Sequence, residues 1–112
     1  MRSDHRRILD ALEAIECIER YARKGREVFE RDELVQVWIV HHMQVLGESL
    51  SRLSEDVRGS APEVPWNKIR GMRNLLVHHY FGIDLDVVWT AVEKDLPSLR
   101  SALEQMKEER KG

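Results

Sequence analysis

Apolar residues recur every three or four positions along most of this chain, the spacing that places them on one face of an α-helix. The first predicted helix is capped by Asp4 and runs to about Ala22, where Arg23, Lys24 and Gly25 suit a helix end. Its apolar positions are Ile8, Leu12, Ile15, Ile18 and Ala22. No run alternates apolar and polar residues as a strand would.

A second helix is predicted to start near Arg31 or Asp32 and to run to about Ser54. It carries two apolar stripes at helical spacing. One stripe is Val35, Ile39, Met43, Leu46, Leu50 and Leu53; the other is Leu34, Trp38, His41 and Val45. Because a helix that is apolar on two faces needs partners on two sides, we expect the second stripe to meet a second subunit.

Prolines and glycines divide the second half of the chain. Arg58–Pro62 is predicted to be a loop, and Pro65 or Trp66 opens a third helix that Phe81–Ile83 ends. Asp84 caps a fourth helix that runs through Lys94. The positions expected to face inward on this helix are Leu85, Val88, Trp89 and Val92.

A fifth helix is predicted to restart at Asp95, with Pro97 in its first turn and Leu96, Leu99 and Leu103 on one side. Residues 107–112 are expected to be a frayed end. The predicted fold is therefore all-α: residues 1–112 form a single domain, an antiparallel bundle of four to five helices.

Composition narrows the possible partners. The chain has 112 residues, and 18 Lys and Arg against 20 Asp and Glu give a formal net charge of −2. This balance excludes a general nucleic-acid coat protein, so any nucleic-acid contact must come from a local patch. Cys17 is the only cysteine, and neither an apolar signal core nor a membrane-spanning run appears, so we expect a cytoplasmic protein.

The chemistry is concentrated between Arg73 and Tyr80, near the end of the third predicted helix. No acidic residue occurs from position 65 to 83. Arg70, Asn74 and His78 follow a four-residue spacing and should share one line on the helix, with Arg73 on its border. An arginine fork beside an imidazole that titrates near neutral pH suits metal-free cleavage of an RNA phosphodiester.

The run R-N-x-x-x-H-x-Y, here Arg73, Asn74, His78 and Tyr80, resembles the signature of the HEPN superfamily, and most closely that of HepT-like toxins of the HepT–MntA toxin–antitoxin systems. The resemblance covers the chain from Ile8 to Leu103. Its other matching positions are Gly47-Glu48, Pro65-Trp66, Ile69, Met72, Phe81 to Leu85, Val88-Trp89 and Leu96-Pro97.

This resemblance implies a homodimeric bundle that acts as a toxin and a metal-independent endoribonuclease. It also implies an antitoxin with a minimal nucleotidyltransferase fold, which transfers AMP to the motif tyrosine, here Tyr80. The implied roles are Arg73 for binding phosphate, Asn74 for orientation and His78 for proton transfer. Tyr80 would contact the substrate until its modification blocks the site.

Three further residues are weaker candidates for the same site, here called second-tier candidates: Arg70, Glu48 and His79. Glu48 is expected to pair with a motif arginine. His79, where relatives commonly carry a small residue, is either a second proton carrier or a packed ring, and we favour packing. His41 and His42 diverge by about 100° on a helix, so we expect no metal site and no cofactor.

Two other functions remain open. The same Arg and His could hold phosphates in a non-catalytic, nucleotide-binding subunit that partners a nucleotidyltransferase. The chain could also be a helical dimerisation module in which the motif is structural. The combination of Arg73, His78 and Tyr80 at one helix end favours the ribonuclease, because a scaffold does not need it.

Overall fold

The computed structural model describes residues 3–71 and 84–110, and every regular element in these two ranges is helical. The elements are α1 (Asp4–Ala22), α2 (Arg26–Arg31), α3 (Glu33–Ser51), α4 (Glu55–Gly59), α5 (66–71), α6 (Leu85–Thr90), a π-helical turn (Ala91–Asp95) and α7 (Leu96–Glu109). The predicted all-α fold is confirmed. No helix within the described ranges combines the length and apolar character that crossing a bilayer requires.

The longest helices, α1 and α3, lie antiparallel. At one end the carboxylate of Asp4 accepts hydrogen bonds from the amide (3.0 Å) and hydroxyl (2.8 Å) of Ser54. Further along, the indole N–H of Trp38 donates to the Cys17 carbonyl at 2.7 Å. These contacts fix the register of the two helices, so α1 supplies the face on which the rest of the bundle packs.

The last helix, α7, runs antiparallel to α1. Arg100 on α7 pairs with Glu19 on α1 and with Glu104 one turn along its own helix. The hydrogen bond to Glu104 and the negative charge of Glu19 raise the pKa of the Arg100 guanidinium. The pairing keeps the Arg100 guanidinium at the edge of the α1–α7 contact, while the apolar face of α7 covers the core.

The apolar positions predicted from helical spacing form the core. The first α3 stripe is buried throughout, and so are Ile8, Ile15, Ile18, Val88, Trp89, Val92, Leu96, Leu99 and Leu103. The second α3 stripe is divided, because Leu34 is 81% exposed and His41 is exposed, whereas Trp38 and Val45 are half-buried against the core of the same chain. The bundle therefore covers one face of α3 and leaves part of the other on the surface.

Several predicted helix ends shift because serine hydroxyls act as caps. Ser3, rather than Asp4, caps α1 by accepting from the Arg6 amide at 3.1 Å. The second predicted helix stops at Ser51 instead of Ser54, since Ser54 caps the short helix α4. That helix contains Arg58, so the predicted loop at Arg58–Pro62 is wrong in its first two residues.

Two further differences concern local backbone geometry. The short α2 was not predicted; it begins after Gly25, whose φ of 96° lies in the region that favours glycine. The predicted break at Asp95 is wrong. Instead, the Leu96 N–H bonds to the Ala91 carbonyl, five residues back, and this wider turn accommodates the ring of Pro97. Asp84 does cap α6 as predicted, and α7 is helical through Glu109, into the segment expected to be frayed.

Candidate functional site

Helix α5 leads directly into the predicted motif. The motif residues themselves, Arg73, Asn74, His78, His79 and Tyr80, lie outside the described residues, and so does the predicted helix end at Phe81–Ile83. Their roles and their side-chain positions stay predictions. The structure does describe the supports that set where this helix begins and how it approaches the motif.

The start of α5 is fixed by Trp66. Its indole N–H donates to two backbone carbonyls, those of Ala61 at 3.0 Å and Arg58 at 3.1 Å. The half-buried ring thereby joins the first turn of α5 to the end of α4. Because both acceptors are backbone atoms, this connection does not depend on the side chains at positions 58 and 61.

Two positions along, at Lys68, α5 is tied to the π-helical turn. The ammonium of Lys68 lies 3.0 Å and 3.2 Å from the two carboxylate oxygens of Asp95. Beneath this pair a mainly apolar cleft separates α5 from α3 and α7. Its lining residues include Met43, Leu46, Gly47, Ile69, Leu96 and Leu99. Sequence reasoning missed Asp95 as a contact of α5, because nothing in the local pattern pairs positions 27 residues apart.

On the other side of α5 a shallow groove runs between the end of α3 and α4. It is lined by Gly47, Leu50, Ser51, Arg58, Trp66, Ile69 and Arg70. Two of these side chains are guanidinium groups and none is acidic. Arg70, a second-tier candidate, is exposed here beside Arg58, which sequence reasoning had placed in a loop without a role.

Glu48 has a partner that the sequence analysis did not name. Its carboxylate lies 2.6 Å and 2.7 Å from two guanidinium nitrogens of Arg52, one helical turn away. The i, i+4 spacing could have predicted this pair. The predicted pairing of Glu48 with a motif arginine concerns residues outside the described ranges.

The adjacent histidines on α3 are engaged locally. His42 donates from Nδ1 to the carbonyl of Trp38 at 2.8 Å, and its ring lies 4.3 Å from the Trp38 ring. His41 is exposed, with its ring edge-on to that of His42 at 4.9 Å. Across residues 3–71 and 84–110, no three His, Cys, Asp or Glu side chains come together in a metal-binding cluster.

A helical bundle in which a cationic helix precedes an R-N-x-x-x-H-x-Y run defines a HEPN-type protein. The family model described as ribonuclease HepT-like matches residues 11–106, and the chain belongs to that family. The match includes α5, the motif and all of the groove-lining residues.

Curated relatives agree with this assignment. A protein of Thermococcus cleftensis named "Probable ribonuclease HepT" is 35% identical over 109 residues, which cover 96% of this chain and 99% of the relative. A protein of Caldanaerobacter subterraneus named "Putative RNase" is 30% identical over 94 residues, or 84% of each chain. No solved structure matches the chain significantly.

Proposed function

We propose that this protein is an endoribonuclease that cuts RNA without a metal ion and serves as the toxin of a toxin–antitoxin module. The observation that carries the proposal is the ribonuclease HepT-like family match, which spans residues 11–106 and includes the motif from Arg73 to Tyr80. The acid-free lining of the groove beside α5 supports it, since an RNA strand brings phosphates to this side of the bundle.

Cleavage in this proposal is a transesterification. An imidazole removes the proton of a 2′-hydroxyl, the 2′-oxygen attacks phosphorus, and the bond to the 5′-oxygen breaks as that oxygen takes a proton. Arg73 stabilises the charge that builds on the phosphoryl oxygens, and Asn74 orients the groups. The products carry a 2′,3′-cyclic phosphate and a 5′-hydroxyl.

A homodimer supplies the second proton carrier. One His78 cannot act as base and acid at the same moment, so a twofold arrangement brings a second copy to the site. The exposed apolar side chains of Leu34 and Val37, near the start of α3, form a surface that a second copy could cover. Dimerisation then belongs to the mechanism as well as to stability.

The first test is cleavage by the unmodified protein. Purified protein is incubated with a mixed-sequence RNA in excess EDTA, and the fragment ends are analysed for cyclic phosphate. We expect cleavage at the same rate with and without EDTA, because no step uses a metal. Absence of cleavage in all conditions would overturn the ribonuclease and favour the non-catalytic, nucleotide-binding subunit.

The second test concerns the off-switch. In the proposal a minimal nucleotidyltransferase partner catalyses attack of the Tyr80 hydroxyl on the α-phosphorus of ATP, which releases pyrophosphate and leaves AMP on the tyrosine. We expect intact-mass spectrometry to show added AMP after incubation with that partner and ATP, together with loss of cleavage. Tyr80→Phe should stay unmodified, whereas AMP added to Tyr80→Phe would place the modification elsewhere.

A further inference from the structure

We propose that the groove between α3, α4 and α5 is a binding subsite for a phosphodiester of the RNA strand next to the one that is cut, held by Arg58 and Arg70. This inference rests on the proposed function. It adds to that function a residue, Arg58, that lies outside the motif and reaches the groove only through tertiary structure.

The first argument is that both guanidinium groups are available. Most arginines in the described ranges sit beside a carboxylate: Arg6, Arg26, Arg31, Arg52, Arg100 and Arg110. Within the same ranges five arginines have no such ion pair, namely Arg7, Arg20, Arg23, Arg58 and Arg70, and of these Arg58 and Arg70 line the same groove. Two neighbouring cations without counter-charges attract an anion.

The second argument is the contrast between this groove and the others that the described residues line. A groove on the α1–α3 side carries Asp10 and Glu13, and one beside α6 carries Asp86 and Asp95. Three of these carboxylates are paired with a cation, as Glu48 is, but all four belong to the lining itself, where they weaken the attraction for phosphate. In the α4–α5 groove the nearest acidic side chain of α3, Glu48, is neutralised by Arg52, and the lining itself has none.

The third argument is that the groove is built on fixed backbone. The Trp66 indole donates to the Arg58 carbonyl at 3.1 Å, which ties the start of α5 to α4. Gly47 and Ser51 are the smallest residues that line the groove, and both lie on its α3 side. Guanidinium forks bind phosphate oxygens in pairs, with a geometry that lysine cannot reproduce.

The position of the groove identifies the ligand. In the helix predicted from the sequence, Arg70 lies one turn before the motif arginine, Arg73, and shares a line with Asn74 and His78. A strand whose scissile phosphate meets the motif therefore passes Arg70 first, and Arg58 beside it. RNA phosphodiester is the chemistry that this path selects, with no base-specific contact among the lining residues.

The experiment measures binding separately from cleavage. A fluorescent single-stranded RNA with 2′-O-methyl groups, which lacks the nucleophile, is titrated with wild type, Arg58→Gln and Arg70→Gln at several salt concentrations. We expect each variant to raise Kd about 3- to 10-fold and to lower the slope of log K against log salt by about 0.7. Arg58→Lys should recover only part of the affinity.

The matched control is Arg20→Gln, which removes an exposed arginine of α1 that does not line the groove. Its Kd and salt slope should equal those of wild type, and thermal melts should show that all variants fold. Unchanged binding in the two groove variants, or an equal loss in Arg20→Gln, would overturn the subsite even if the wild type cleaves RNA. If the groove variants weaken RNA binding but the wild type does not cleave RNA, the ribonuclease proposal is overturned and the subsite is not.

Discussion

Replacement of His78 by alanine is expected to lower the rate of RNA cleavage by at least about 10²- to 10⁴-fold, the usual contribution of a single positioned acid or base. In the proposed dimer both proton transfers use this residue, so one substitution removes base and acid together. Binding of the 2′-O-methyl RNA should change far less, since phosphate affinity comes from the arginines. Two quantities are measured: the single-turnover cleavage rate in EDTA and the Kd for the 2′-O-methyl RNA.

His79→Ala is the neighbouring comparison, because it removes an imidazole one position away. A packed ring at position 79 predicts near-normal cleavage with lower stability, whereas a second proton carrier predicts a loss comparable to that of His78→Ala. Circular dichroism of each variant shows whether a loss of cleavage comes from unfolding or from the missing imidazole. If His78→Ala unfolds the chain, the motif is structural; if it keeps more than a tenth of the wild-type rate, His78 is not the proton carrier.

Leu103→Ala is expected to cost about 2–5 kcal/mol in the free energy of unfolding. Leu103 is fully buried, with 0% exposure, on the face of α7 that packs into the core. Removal of its isobutyl group loses the transfer free energy and leaves a cavity that close-packed neighbours fill only in part. Urea denaturation at one fixed protein concentration measures the effect.

Leu34→Ala makes the same chemical change on the surface and serves as the control. With the Leu34 side chain 81% exposed, the expected cost is within about 0.5 kcal/mol. A cost similar to that of Leu103→Ala, diminishing as the protein is diluted, would mean that a second copy covers Leu34 at the start of α3. Equal, concentration-independent costs for both variants would contradict the core described above.

The fold could be predicted to the extent that it depends on local periodicity. Spacings of three and four positions identified the buried faces of α1, α3, α6 and α7, because burial of one helix face requires that pattern. Caps were less predictable. Ser3 and Asp4 are both good capping residues, and what decides between them is the contact of Asp4 with Ser54, fifty positions away.

The short helices and turns were not predicted correctly for a similar reason. In α2 and α4 there are too few residues for a periodic signal, and their stability comes from packing of Phe29 and Val57. In the sequence, Pro97 indicates the start of a new helix. In the bundle the chain instead continues through a π-helical turn, whose residue Asp95 then lies against Lys68.

The sequence by itself determined the chemistry proposed here, since Arg73, Asn74, His78 and Tyr80 form a recognisable run within eight residues. It also determined which helix faces are buried. Tertiary structure alone decided that Arg58 stands beside Arg70 and that Asp95 holds Lys68, because those pairs join elements separated by 12 and 27 positions. Such contacts follow from how helices pack, and no local pattern of residues encodes them.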